Sequence, residues 1–226
     1  MSSQIDAYLE IGQKKVFAAA VDWPGWCRAG REEGAALQAL ADYGKRYKSA
    51  LGRVATNLKV PGDVDGFVIV ERLKGDASTE FGVPGKVPAL DDRSIAKKET
   101  DRLSDVMKAV WSKFDRTAKA HNDSSLRKGP RGGGRDLDKI INHVVEGEMS
   151  YLYRLGGKFY PAEGAELRAE TLRLRKEFLE MLRFRAAGKM PPMGKRTAKL
   201  WPPPYAVRRA AWHVLDHAWE IEDRAE

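Results

Sequence analysis

The first part of the chain alternates between apolar and polar positions in a way that predicts a small α/β module. Ile5–Ile11 alternates as a half-buried strand does, and Lys15–Asp22 is a second strand of more apolar character. Arg31–Val54 repeats its apolar residues at helical spacing, and Val64–Leu73 is a further apolar strand. The predicted order of elements in residues 1–75 is therefore β-β-α-β.

Periodicity stops in residues 76–94, which are rich in Gly, Pro, Asp and Ser and which predict a linker. Residues 95–226 then contain four amphipathic stretches, separated by segments with glycine or proline. These stretches predict helices over Ile95–Ala120, Asp136–Leu155, Ala162–Ala187, and from Tyr205 to the end of the chain. We therefore expect an α+β protein in which the α/β module precedes an antiparallel four-helix bundle.

Three of the four histidines fall on apolar faces of the predicted helices. His213 and His217 lie one turn apart on the last helix, and His143 lies on the second of the four. Gly147, one turn after His143, leaves room in front of that ring. Buried imidazoles need partners for both nitrogens, and a metal ion satisfies rings that converge on one point. The three residues therefore predict a metal site with open positions.

Two other interpretations of the histidines remain open at this stage. An HxxxH pair on one helix is common without a metal, and the rings could simply cap the bundle core. They could also form hydrogen bonds with neighbouring carboxylates, which are Glu146, Glu148, Asp216 and Glu220.

Two segments around these histidines resemble the DinB-like superfamily. INHVVEGEMSYLYRL (Ile141–Leu155) is similar to the second helix of that family, and VRRAAWHVLDHAWEIEDR (Val207–Arg224) is similar to its last helix. The resemblance covers about Asp101–Glu226. It implies a four-helix bundle whose metal is held by His143, His213 and His217. Several relatives are metal-dependent transferases or isomerases that use a low-molecular-weight thiol such as mycothiol or bacillithiol, whereas many others have no known activity.

The N-terminal module resembles HicB-like domains, although only over a short motif. The similarity rests on a strand that ends in DWPGWCRAGR (Asp22–Arg31) and is followed by a helix rich in Ala and Leu. In that family the module is small, α/β, and often binds a partner protein. The resemblance implies a partner-binding role for residues 1–75.

These patterns lead to two hypotheses about function. The first is a metal-dependent enzyme acting on a small molecule, either a thiol-dependent transferase or isomerase or a hydrolase, with Zn²⁺, Ni²⁺ or Fe²⁺ as the ion. The candidates for proton transfer or for orienting the ligands are Glu146, Glu148, Tyr151 and Glu220. The alternative is a non-enzymatic, two-module binding protein with a structural metal.

Composition narrows the class of partner and the compartment. The chain has 226 residues and a net charge of +8, but its basic and acidic residues are intermixed, which does not favour nucleic acid as the partner. A single cysteine and the absence of a signal-like or membrane-spanning segment favour the cytoplasm. Trp212 and Trp219 lie opposite the histidines, so we expect the N-terminal domain or a second subunit, in a homodimer, to cover that face.

Overall fold

The computed structural model describes residues 4–122, 124–128, 134–192 and 199–226. The chain divides into two compact units, Met1–Asp92 and Arg93–Glu226. The first contains a β-sheet and the second contains four long helices, so the protein belongs to the α+β class, as predicted. Every helix in the described ranges is either too short or too polar to cross a lipid bilayer.

The first unit is built on a four-stranded sheet. Its strands are β1 (Ile5–Ile11), β2 (Val16–Ala20), β3 (Cys27–Gly30) and β4 (Phe67–Lys74). Their order in the sheet is β3-β2-β1-β4, with β1 antiparallel to β2 and parallel to β4. Helix α1 (Glu33–Leu51) packs against β2 and β3. Trp26 lies fully buried in this core, where its indole N–H donates to the carbonyl of Leu40 at 2.7 Å.

The sheet contains one strand more than the predicted β-β-α-β order. Strand β3 pairs antiparallel with β2 at the edge of the sheet, in a stretch where the sequence shows only a break at Pro24. Four residues are too few to display a clear alternation. A Cβ atom on Gly30 would lie 2.3 Å from the backbone nitrogen of Ala36. Glycine at this position therefore allows α1 to approach the strand closely.

Residues 76–94, the predicted linker, begin with the short helix α2 (Ala77–Phe81), and most of them belong to the first unit. Glu10 of β1 is fully buried and fixes this segment to the sheet. Its carboxylate accepts hydrogen bonds from the hydroxyl of Thr79 at 2.5 Å and from the backbone N–H of Lys86 at 2.9 Å. A buried carboxylate requires such donors, and the sequence alone did not indicate where they would come from.

The second unit consists mainly of four helices. They are α3 (Lys97–Ala120), α4 (Leu137–Leu155), α5 (Leu167–Ala186) and α6 (Pro203–Arg224). Local signals define the ends of α4, because the side chain of Asp136 caps its first turn and Gly156 ends it at a φ of 119°. Helix α6 packs against α3 and α4, and α5 packs against the same two helices. The predicted helices and the observed ones differ by a few residues at their ends.

Helix α6 is the most enclosed of the four, since 14 of its 22 residues are buried. Trp212 and Trp219 are 8% and 1% exposed, so the face opposite the histidines is covered. A neighbour on that side comes from within the unit: Glu222 of α6 pairs with Lys113 of α3. The helix therefore has packing partners on two sides within one chain, and the homodimer stays a prediction.

Candidate metal centre

Three histidine rings meet between α4 and α6. His143 comes from α4, and His213 and His217 come from successive turns of α6. One ring nitrogen from each residue lies within 4.8 Å of the other two, and the Nε2 atoms of His143 and His213 are 3.2 Å apart. His213 is 7% exposed, whereas His143 and His217 are partly exposed. The cluster therefore has a buried base and an accessible side.

A glycine on α4 makes this approach of the rings possible. A Cβ atom on Gly147 would lie 2.6 Å from Cε1 and 2.9 Å from Nδ1 of His213. No real side chain accepts such contacts without displacement, so the imidazole occupies the volume that a side chain would take. The room that the sequence indicated beside His143 is thus filled by the ring of His213.

The outer nitrogen of His217 is held by a chain of polar contacts. Its Nδ1 lies 2.7 Å from a carboxylate oxygen of Glu220, which also pairs with the guanidinium of Arg224. Arg224 in turn donates to the backbone carbonyls of Arg127 and Arg135, each at 2.9 Å. With Nδ1 donating its proton to Glu220, Nε2 of His217 has a free lone pair for an ion.

The surroundings of His143 and His213 favour the neutral imidazole, which is the form that binds metals. Burial, followed by the neighbouring His217, lowers the pKa of His213 to about 2. Burial and His217 also lower the pKa of His143. The hydrogen bond from His217 lowers the pKa of Glu220, so this residue is a carboxylate at neutral pH. His143 and His213 thus present lone pairs rather than protons.

The donor set and the spacing of two of its nitrogens fit a divalent metal ion. Two imidazoles bound tetrahedrally at ~2.0–2.1 Å from zinc place their nitrogens ~3.3 Å apart, close to the 3.2 Å between His143 and His213. His217 is oriented by a carboxylate, as metal-bound histidines usually are. Nδ1 of His213 is buried and has no hydrogen-bond partner among the described residues. A metal on Nε2 would leave the ring proton on this atom, where no described residue accepts it.

The other predicted site residues separate into two groups. Glu220 contacts His217, and the ring of Tyr151 lies 5.4 Å from that of His213, so both lie beside the histidine cluster. Burial raises the pKa of Tyr151, which keeps its hydroxyl protonated. Glu146 is exposed, and its negative charge acts to raise the pKa of His143, against the larger effect of burial.

Glu148 faces away from the histidines toward α5. Its carboxylate accepts from Nε of Arg175 at 3.2 Å, and the same guanidinium donates to Asp115 of α3 at 2.8 Å. Burial raises the pKa of Glu148 to about 7, against the opposing effect of Arg175. The structure therefore places Glu148 at the buried end of an ion-pair network that joins α3, α4 and α5 and ends at the exposed carboxylate of Asp115.

Sequence reasoning missed Arg209, which lies one turn before His213 on α6. Its guanidinium carbon is 4.5 Å from the ring centre of Trp212 and 5.3 Å from that of Tyr151. The spacing of Arg209, His213 and His217 is i, i+4, i+8, so a helical wheel places all three within an arc of about 80°. This spacing is the sequence signal that could have identified Arg209 as a neighbour of the histidines.

No protein-family model, curated protein or solved structure matches this chain. The likenesses to DinB-like and HicB-like proteins therefore stay predictions from the sequence.

Proposed function

We propose that residues 95–226 form an antiparallel four-helix bundle of the DinB-like type that binds one divalent metal ion through His143, His213 and His217. The pairwise packing of α3 and α5 with α4 and α6 supports this arrangement, because each helix then has two neighbours around a common core. Imidazole ligands suit Zn²⁺, Ni²⁺ and Fe²⁺, so the ion is one of these three.

We further propose that the protein is a metal-dependent enzyme acting on a small molecule. The observation on which this rests is that three protein ligands, and no fourth, converge in the part of the chain that the structure describes. Three ligands leave positions for substrate, as in catalytic sites, whereas structural sites are closed by four. The partial exposure of His143 and His217 gives access to those positions.

Each of the residues around the ion would have its own role. The three histidines hold the ion, which when bound supplies Lewis acidity to a ligand in its open positions. Glu220 fixes the orientation and tautomer of His217. Tyr151, protonated at neutral pH, is placed beside His213 to donate a hydrogen bond to a substrate atom. A thiol-dependent transferase or isomerase, or a hydrolase, is consistent with these roles.

X-ray absorption spectroscopy of the metal-loaded protein tests the open site. We expect three imidazole nitrogens and at least one oxygen or sulfur that changes when a low-molecular-weight thiol is added. Four protein ligands that do not exchange would instead support the alternative, a two-module partner-binding protein with a structural metal. Turnover is then measured with a panel of electrophiles in the presence of a low-molecular-weight thiol, and with a panel of esters. His217→Ala is the inactive control, and His121→Ala, which removes the fourth histidine, is the matched active control.

A further inference from the structure

Arg209 is an unusual cation because it lies next to the histidine cluster with no acidic partner among the described residues. No ion pair within the described ranges uses it, and its Nη1 is buried without a hydrogen-bond acceptor there. Burying a guanidinium nitrogen without an acceptor is unfavourable, so the position is better explained by a ligand than by packing. Arg173 of α5 provides the contrast: it also lies over an aromatic ring, that of Phe159, but it donates to Glu170 and to the carbonyl of Tyr160.

Two aromatic rings lie beside the guanidinium of Arg209. Its Cζ atom is 4.5 Å from the ring centre of Trp212 and 5.3 Å from that of Tyr151. The edge of a guanidinium presents parallel N–H groups that match the two oxygens of a carboxylate. A carboxylate is therefore the anion that best suits the N–H groups of Arg209.

The charge balance near Arg209 also favours an anion. The three histidines are neutral ligands, and the carboxylate of Glu220 is already paired with Arg224. A divalent ion together with Arg209 therefore leaves an excess of positive charge on the open side of the centre. Arg209 precedes His213 by one turn, which is a rise of about 6 Å along the helix, so one small molecule can reach both the ion and the guanidinium.

We propose that Arg209 binds a carboxylate of the small molecule that coordinates the metal, so that the substrate or cofactor carries a carboxylate two or three carbon atoms from its metal-binding atom. Arg209 would thus select for acids against their neutral analogues. This inference rests on the proposed metal centre.

The test uses the full-length protein loaded with Co²⁺, in which binding of a thiolate to the ion produces a charge-transfer absorption band. The probes are 3-mercaptopropionate and 4-mercaptobutyrate, each compared with its amide, which has the same length and no charge. We expect whichever of the two mercapto acids binds more tightly to bind about 10- to 100-fold more tightly than its own amide. The ratio should fall to about one in Arg209→Gln and stay unchanged in Arg173→Gln.

The outcomes separate this inference from the proposed function. If the wild type binds no cobalt, the metal centre is wrong and the inference is wrong with it. If cobalt binds but acids and amides bind equally to the wild type, only the role of Arg209 is refuted, and this comparison needs no variant. If Arg209→Gln takes up cobalt normally yet keeps the preference for the acid, another residue binds the carboxylate and the assignment to Arg209 is overturned.

Discussion

Replacing Gly147 by alanine perturbs the metal centre without altering any ligand. The added Cβ would meet Cε1 of His213 at 2.6 Å, about 1 Å inside an ordinary carbon–carbon contact. The imidazole lies in a buried helix and must move by a comparable distance. Metal–ligand distances vary by only ~0.2 Å from their usual values, so a displaced imidazole binds the ion poorly. We therefore expect the affinity for zinc to fall by about 100-fold or more.

The effect of Gly147→Ala on folding should be small, because two contributions oppose each other. Alanine is favoured over glycine inside a helix by about 1 kcal/mol. Overpacking of a buried site costs about 1–3 kcal/mol. In the metal-free protein we therefore expect the free energy of unfolding to fall by roughly 0–2 kcal/mol, whereas a 100-fold loss of zinc affinity corresponds to about 2.7 kcal/mol.

Zinc titration against a chromophoric chelator measures the affinity, and urea unfolding of the metal-free protein measures the stability. The matched control is Gly34→Ala in α1, where an added Cβ would meet no atom within 4 Å. That variant should keep its zinc affinity and gain up to about 1 kcal/mol. An affinity for zinc in Gly147→Ala within twofold of the wild type would refute the reasoning, since it would mean that the ring position does not determine binding.

Three further predictions follow from contacts around the cluster. Glu220→Gln, which preserves shape but removes the charge that orients His217, should weaken zinc binding about 10- to 100-fold in a competition titration; an unchanged affinity would contradict that role. Arg175→Met should lower the free energy of unfolding in urea by about 3–5 kcal/mol, because Glu148 is left buried without a counter-charge, and adding Glu148→Leu should restore most of the loss. In the metal-free protein, His213 has a pKa of about 2 when folded and 6.5 when unfolded, so it binds fewer protons in the folded state. Its contribution to the free energy of unfolding therefore rises with pH up to 6.5, by at most ~1.4 kcal/mol per pH unit. Glu148 (about 7 folded, 4.5 unfolded) binds more protons when folded, so its contribution falls from pH 4.5 to 7. Relative to the wild type, the slope of the free energy of unfolding against pH should therefore become less positive in His213→Gln and more positive in Glu148→Gln over this range. A change of the same sign in both variants would refute the assignment.

The histidine pair of α6 could be predicted because helical periodicity fixes relative positions within one helix. His213 and His217 are one turn apart whatever the tertiary structure is. The convergence of His143 depends on how α4 packs against α6, which periodicity does not determine. Gly147 is a local sign of that packing, because it marks a place where another group approaches the helix closely.

The assignment of Glu148 to the site could have been questioned from the sequence. A helical wheel places it about 140° from His143, whereas Tyr151 lies about 80° away. Both residues occupy buried positions, but they face different neighbours: Tyr151 faces the histidines and Glu148 faces Arg175 of α5. Burial indicates that a carboxylate has a partner, and only the tertiary structure identifies which one.

The first unit shows the same limits in its edge strand and its buried carboxylate. Strand β3 is too short for its pattern to be recognised, and Glu10 is accommodated by donors that follow it by about 70 residues along the chain. Long-range contacts of this kind have no signature in a local window.

Zinc binding at equilibrium, measured together with its stoichiometry, is the most direct test of the metal centre. The wild-type protein, stripped with a chelator and titrated with Zn²⁺, should bind one ion per chain. His213→Ala should weaken that binding by about 100-fold or more, and His121→Ala, whose ring bonds to the backbone of Thr117, should leave it unchanged. A wild type that binds no zinc, nickel or iron, or a His213→Ala variant that binds zinc as tightly as the wild type, would contradict the account.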